Sequence, residues 1–147
     1  MRALGLDLGT KRIGVAVSDR SGTIASPLVV VQRAKRRTDD HLRIAALVAE
    51  EEAEIVVVGM PLHLSGVAGP SARSAATEAR LLSSVVGVPV TTHDERFTTV
   101  TAERALREAS VRGSDRRSVI DKVAAAVMLQ AWLDSGGPAR AAAEAAG

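Results

Sequence analysis

Two stretches near the start of the chain alternate strictly between bulky apolar residues and small or polar ones. Leu4, Leu6 and Leu8 are interleaved with Gly5, Asp7 and Gly9; Ile13, Val15 and Val17 are interleaved with Gly14, Ala16 and Ser18. A period of two marks a half-buried strand, and the short Thr10-Lys11-Arg12 connection makes the pair a β-hairpin. One face of this hairpin is bulky and apolar. The other carries only small residues and Asp7. Residues 25–31 form a third β-rich run, in which Pro27 argues for an edge position or a strand start.

The pattern then changes period. Residues 38–52 show helical spacing at Leu42, Ala45, Ala46 and Ala49, with Thr38, Asp39 and Asp40 as cap and first-turn signals. Residues 55–58 are a continuous apolar run ending at Gly59-Met60-Pro61, which predicts a buried parallel strand. Residues 62–70 read as an exposed loop, and Ser71 as the cap of a helix reaching about Val86. Residues 89–92 read as a further strand, central in the sheet, followed by polar His93-Asp94-Glu95-Arg96.

Two helices are expected to close the domain. The first covers 101–112 and stops at Gly113. The second starts near Ser114 or Asp115 and runs to Asp134, with Ile120, Val123, Ala124, Val127 and Ala131 as its apolar stripe. Ser135-Gly136-Gly137-Pro138 ends it, and the alanine-rich remainder reads as helical or frayed. Three strands followed by alternating helices and strands predict an α/β fold. It is a mixed five-stranded sheet, a β-meander and then βαβ crossovers, with helices on both faces. The domain is expected over residues 1–134, with 135–147 as a flexible tail.

Composition narrows the chemistry. A chain of 147 residues has room for one domain. It contains no cysteine, which excludes disulfides, iron–sulfur clusters and cysteine zinc sites. His41, His63 and His93 show no paired metal-ligand spacing. Phe97 and Trp132 are the only aromatic residues, too few for single-strand binding by stacked rings. No apolar run approaches the ~18 residues of a membrane helix and no signal-peptide pattern opens the chain, so a cytoplasmic protein without a membrane partner is expected.

The net charge of +2 does not by itself indicate a nucleic-acid binder. Its distribution says more, because 16 of the 19 basic residues are arginine. They cluster at Arg33, Lys35, Arg36 and Arg37 and at Arg112, Arg116 and Arg117. Guanidinium forks match phosphate geometry; a solvated surface is the plainer reading of either cluster.

Three carboxylates stand where chemistry is expected. Asp7 lies inside an apolar strand, which is costly unless it is paired, binds a metal or accepts backbone N–H groups in the turn. Glu95 follows a strand end, where open α/β sheets place ligands, although a solvated loop would also contain it. Asp121 sits in the first turns of the last helix on a face shared with Ala124, Ala125 and Met128, where the helix dipole alone could favour it. Together they suggest more than any one does. Clustered carboxylates repel unless a cation neutralises them. Hard oxygen ligands without Cys or His point to Mg²⁺ or Mn²⁺, and such a site suits phosphodiester hydrolysis.

The run from Gly5 to Asp19 (GLDLGTKRIGVAVSD) resembles the start of the YqgF/RuvX family. So do Val58-Gly59-Met60-Pro61-Leu62, Asp94-Glu95-Arg96-Phe97-Thr98-Thr99 with Ala102-Glu103, and Asp121-Lys122-Val123-Ala124-Ala125. The resemblance implies a ribonuclease-H-like fold and a nuclease related to Holliday-junction resolvases, acting in maturation of the 5′ end of pre-16S ribosomal RNA. It implies Asp7, Glu95 and Asp121 as a catalytic, metal-binding triad, with Lys11, Arg12 and Arg96 contacting phosphate or buttressing the carboxylates. Arg36, Arg37, Arg116 and Arg117 join these as candidate nucleic-acid contacts. The implied partners are pre-rRNA, ribosomal precursor particles or branched DNA, and the chain would act as a monomer or, on a four-way junction, as a homodimer.

Two readings from other classes compete. Asp-x-Gly-Thr on a hairpin also opens ATPases of the actin and sugar-kinase type, but these need two such domains around a nucleotide cleft. A non-catalytic nucleic-acid or ribosome-binding module would be favoured by loss of one acid, and all three are present.

Overall fold

The computed structural model describes residues 1–61, 69–95 and 114–147, with side chains of the last long helix described from Ile120 onward. The expected helix over 101–112, most of the 62–70 loop, Arg96, and the side chains of Arg116 and Arg117 lie outside the described residues. Among the described residues the strands are β1 (Ala3–Leu8), β2 (Arg12–Ser18), β3 (Ala25–Gln32), β4 (Ile55–Met60) and β5 (Val90–Asp94). The helices are α1 (Arg37–Glu50), α2 (Pro70–Ser83), α3 (Ser114–Asp134) and α4 (Gly137–Ala146).

The strands form one sheet in the order β3-β2-β1-β4-β5. The hairpin is antiparallel, with Leu6 opposite Val15 and Asp7 opposite Gly14, and the Gly9 N–H closes its turn onto the Arg12 carbonyl at 3.0 Å. β3 occupies one edge. There Pro27 faces Ala16 at a register shift, a place where its missing N–H costs no ladder bond. β4 runs parallel to β1, and β5 parallel to β4. β5 is therefore the other edge strand, not a central one. The chain adds it last by crossover, and among the described residues nothing pairs beyond it.

Hairpin alternation divides the core in two. Leu4, Leu6, Ile13, Val15, Val56 and Val58 point to one face and pack against Ile44, Leu47 and Val48 of α1 and Ala79 and Leu82 of α2. Ala3, Ala16, Ile55 and Val57 point to the other and meet α3. The buried stripe of α3 is Ala125, Met128, Leu129, Trp132 and Leu133, rotated from the expected one; Ile120, Val123, Ala124, Val127 and Ala131 are only half-buried. The small-residue face of the hairpin explains the rotation. A Cβ on Gly5 would press against Leu129, so the shallow groove accepts the bulkiest side chains of α3. Asp121 precedes Ala125, Met128 and Trp132 on that same face, which turns it toward the sheet.

Residues 137–146 of the expected tail are helical, and Ala141 packs on the second core. Gly136 makes the turn into α4 at φ +82°, a left-handed conformation that favours glycine. Among the described residues no helix is long and apolar enough to cross a membrane.

Candidate active site

The carboxyl ends of β1, β3, β4 and β5 and the start of β2 share one edge of the sheet, and the site lies there. Asp7 is near the end of β1, and its neighbour across the hairpin is Gly14. A Cβ on Gly14 would collide with the backbone carbonyl of Asp121, so only glycine lets α3 come down at this point. On the other flank β4 pairs with β1 as far as Leu6 and Val58, and Gly59 comes next. A Cβ there would collide with the Glu95 carboxyl group. Glycines on the two strands beside Asp7 thus seat the other two acids.

The charges register this convergence. Burial, and then the negative charge of Asp121, raise the Asp7 pKa from 3.8 to about 6. Burial, and then Asp7 and Asp94, raise Glu95 from 4.5 to about 7. Arg12, the first residue of β2, donates from Nε to Oδ2 of Asp121 at 2.6 Å. Of the two roles expected for Arg12, buttressing a carboxylate is the one this contact represents. Among the described residues no three His, Cys, Asp or Glu side chains are placed closely enough to hold a metal ion together. Carboxylates that repel one another, with one held by an arginine, have no reason to close without a cation.

The other expected contacts are spread around this edge. Lys11 is exposed in the hairpin turn, and Arg36 and Arg37 are exposed at the start of α1.

An ionic lattice on the opposite face was not anticipated. Arg33, just past β3, holds Glu78 of α2 with Nη1 and Nη2 at 2.6 and 2.8 Å, Asp40 of α1 at 3.2 Å, and the Gly9 carbonyl at 3.0 Å. His41 Nε2 meets Glu78 Oε2 at 2.8 Å. Glu78 and His41 are buried. The signal was present: Glu78 shares helical spacing with buried Ala75 and Leu82, and His41 with Ile44 and Val48. A charge on an apolar stripe demands a buried partner.

Two results follow from this geometry. Gly14→Ala is expected to cost about 1–3 kcal/mol, because backbone must move to admit the methyl group, and to displace Asp121. A melt and a turnover assay that both match the parent would contradict the close approach.

The second concerns pH. Unfolded, Asp7 and Glu95 ionise near 3.8 and 4.5; folded, they ionise near 6 and 7. Between these limits the unfolded chain binds fewer protons, so stability falls as pH rises. Their contribution is fully present below about pH 4 and lost by about pH 7. Melting in chelator should therefore fall less steeply over that window in the double variant Asp7→Asn/Glu95→Gln. Parallel curves for parent and variant would contradict the assigned shifts.

The chain and its fold resemble those of known proteins. A family model described as "RuvX: Holliday junction resolvase" matches residues 1–135. A protein of Mycobacterium ulcerans named "Putative pre-16S rRNA nuclease" is 51% identical over 135 residues, covering 90% of this chain and 78% of that relative. One of the same name from Myxococcus xanthus is 46% identical, covering 94% and 91%. Among solved structures, Thermus thermophilus RuvC superposes with a TM-score of 0.58 at 17% identity, covering 92% of this chain and 97% of that one. RuvC in complex with a Holliday junction substrate gives 0.55 at 18%, covering 92% and 96%. These structural likenesses establish the fold, the ribonuclease-H-like α/β arrangement expected from the sequence.

Proposed function

Because this chain belongs to the RuvX family, which matches it over residues 1–135, we propose that it is a divalent-metal-dependent nuclease acting on pre-16S ribosomal RNA in the cytoplasm. The names of its half-identical relatives support the substrate. The observation that carries the chemistry is geometric: Gly14 and Gly59, on the two strands flanking Asp7, seat the backbone of Asp121 and the carboxyl group of Glu95 beside it. Buried acids that repel one another form a pocket of negative potential, which a cation relieves.

Asp7, Glu95 and Asp121 would hold the ion, and as hard oxygen donors without a soft ligand they fit Mg²⁺ or Mn²⁺. When bound, the ion supplies an activated water and stabilises charge on the phosphate oxygens. The chain's own residues do the positioning. Gly14 and Gly59 let the backbone of Asp121 and the side chain of Glu95 approach β1. Arg12 fixes the rotamer of Asp121 by a charge-assisted bond. Lys11, Arg36 and Arg37, with Arg96, Arg116 and Arg117, are assigned to the phosphate backbone, which they would bind and orient.

A second substrate, a four-way DNA junction, is favoured by the family's description. Symmetric cutting of that substrate requires a homodimer, since two-fold half-sites need a two-fold enzyme. The test incubates the full chain separately with precursor 16S RNA and a synthetic junction, in Mn²⁺ or in EDTA. Cleavage of the RNA in Mn²⁺ alone is expected. Paired cuts in the junction with intact RNA would replace the substrate, and full activity in EDTA would overturn the metal reading.

A further inference from the structure

A cleft of about 480 Å³ opens on the face of the sheet opposite the three acids. Its walls are the hairpin turn and the first turns of α1 and α2, and its lining includes Thr10, Lys35, Arg37, Ser71 and Ser74. We propose that this cleft is a second phosphate-recognition site, taking a backbone phosphodiester of the nucleic-acid strand whose scissile bond lies at Asp7, Glu95 and Asp121. The inference rests on the nuclease reading and adds to it where the flanking strand is held.

The floor of the cleft is the ionic lattice, and that lattice determines which charges remain available. Arg33 covers both oxygens of Glu78 and one of Asp40, and the Ala34 N–H covers the other oxygen of Asp40 at 2.8 Å. The two acids are therefore satisfied from within, and they hold Arg33 as structure. Lys35 and Arg37 are exposed at the rim, and among the described residues neither has an ion-pair partner. Both line the cleft directly, Arg37 from the first turn of α1.

The remaining donors are complementary to an anion. Neither α1 nor α2 has a side-chain cap, and α2 opens with Gly69 and then Pro70. The N–H groups of their first turns, which in α2 begin at Ser71 because Pro70 has none, add positive potential to the same cavity, and the hydroxyls of Thr10, Ser71 and Ser74 add neutral donors. The volume exceeds what a lone phosphate needs and suits a phosphate with its sugar. Position completes the case. Gly9 and Thr10 line the cleft and also belong to the hairpin turn beside Asp7, so a strand crossing this turn meets the acids on one side and the cleft on the other.

The test is equilibrium binding in EDTA, followed by fluorescence anisotropy of labelled precursor 16S leader RNA at several salt concentrations, with a labelled four-way junction as a parallel arm. The double variant Lys35→Ala/Arg37→Ala is compared with Arg20→Ala/Arg43→Ala, two exposed cations outside both sites. Melting curves confirm that both variants fold. The cleft variant is expected to lose about tenfold or more in affinity and to flatten the salt slope by about 1.4 on single-stranded RNA, from two phosphate contacts. The control should change neither.

Millimolar inorganic phosphate should compete with RNA on the parent and scarcely on the cleft variant. Equal affinity and slope in the two variants would overturn the inference, while metal-dependent cleavage by the parent would leave the nuclease reading standing. Phosphate binding that the cleft variant loses without any loss of RNA affinity would make this a small-anion site and overturn the strand assignment. Loss of affinity for the junction alone would move the strand from RNA to DNA and keep the cleft. A parent that neither binds nor cuts either nucleic acid would overturn both readings.

Discussion

Asp7→Asn, Glu95→Gln and Asp121→Asn should each lower turnover by roughly 100-fold or more, with folding intact. Each change keeps the shape of the side chain and removes one unit of the negative charge that attracts a divalent ion. For Asp7→Asn and Glu95→Gln stability should stay level or rise in metal-free buffer, since these two groups are charged at a cost when folded, as their raised pKa values of about 6 and 7 indicate. Pairing Asp7→Asn with Asp121→Asn should be scarcely worse than either alone, because residues that act as one unit are not additive. Turnover measured beside thermal melting separates this from unfolding. A Glu95→Gln protein that melts normally and cleaves at the parental rate would reduce Glu95 to a loop residue.

The largest effect on stability should come from the other face of the sheet. Glu78→Ala is expected to cost about 3–5 kcal/mol, because it leaves the Arg33 guanidinium and the His41 ring without their shared partner in a buried setting. Lattice members come from the end of β3, from α1 and from α2, so the loss should loosen all three where they meet. Removing both ends of the main pair in Arg33→Met/Glu78→Leu should cost less than the sum of the single changes, since Glu78 is then no longer left without Arg33 and only Asp40 loses a cation. Chemical denaturation of Glu78→Ala, of the double variant and of its two single changes gives the comparison. A Glu78→Ala protein within about 1 kcal/mol of the parent would mean that the lattice is far better hydrated than its burial indicates.

Where a single periodicity decides an element, the chain itself was sufficient. The alternation at Leu4–Gly5–Leu6–Asp7 and at Ile13–Gly14–Val15–Ala16 fixes both the hairpin and its two unlike faces, and Pro27 fixes the edge. The sheet position of β5 was not legible, because parallel order is chosen by crossovers between elements distant in sequence. The face of α3 was misjudged for a related reason. Its β-branched residues looked like the core stripe, but the packing partner is a groove of glycine and alanine that favours Leu129, Met128 and Trp132. Asp7, Glu95 and Asp121 could be selected as types and positions. Their convergence could not, because it depends on Gly14 and Gly59 admitting Asp121 and Glu95 from elements far along the chain. The Arg33–Glu78 pairing is not legible in the sequence, because Arg33 stands in a run of basic residues that reads as surface charge, whereas in the fold it is mostly covered and paired with two acids.

Whether the three carboxylates at one sheet edge act together as a cation site can be read without any substrate, by direct titration with Mn²⁺. Calorimetry or the loss of free-Mn²⁺ electron paramagnetic resonance signal would compare the parent with Asp7→Asn, Glu95→Gln and Asp121→Asn near pH 8, where the carboxyl groups with pKa of about 6 and about 7 are ionised. Saturable binding by the parent, at least tenfold weaker binding by every variant, and a rise in the parental melting temperature on adding Mn²⁺ are expected. Equal Mn²⁺ affinity in all four proteins, or no binding by a well-folded parent, would contradict a shared cation site.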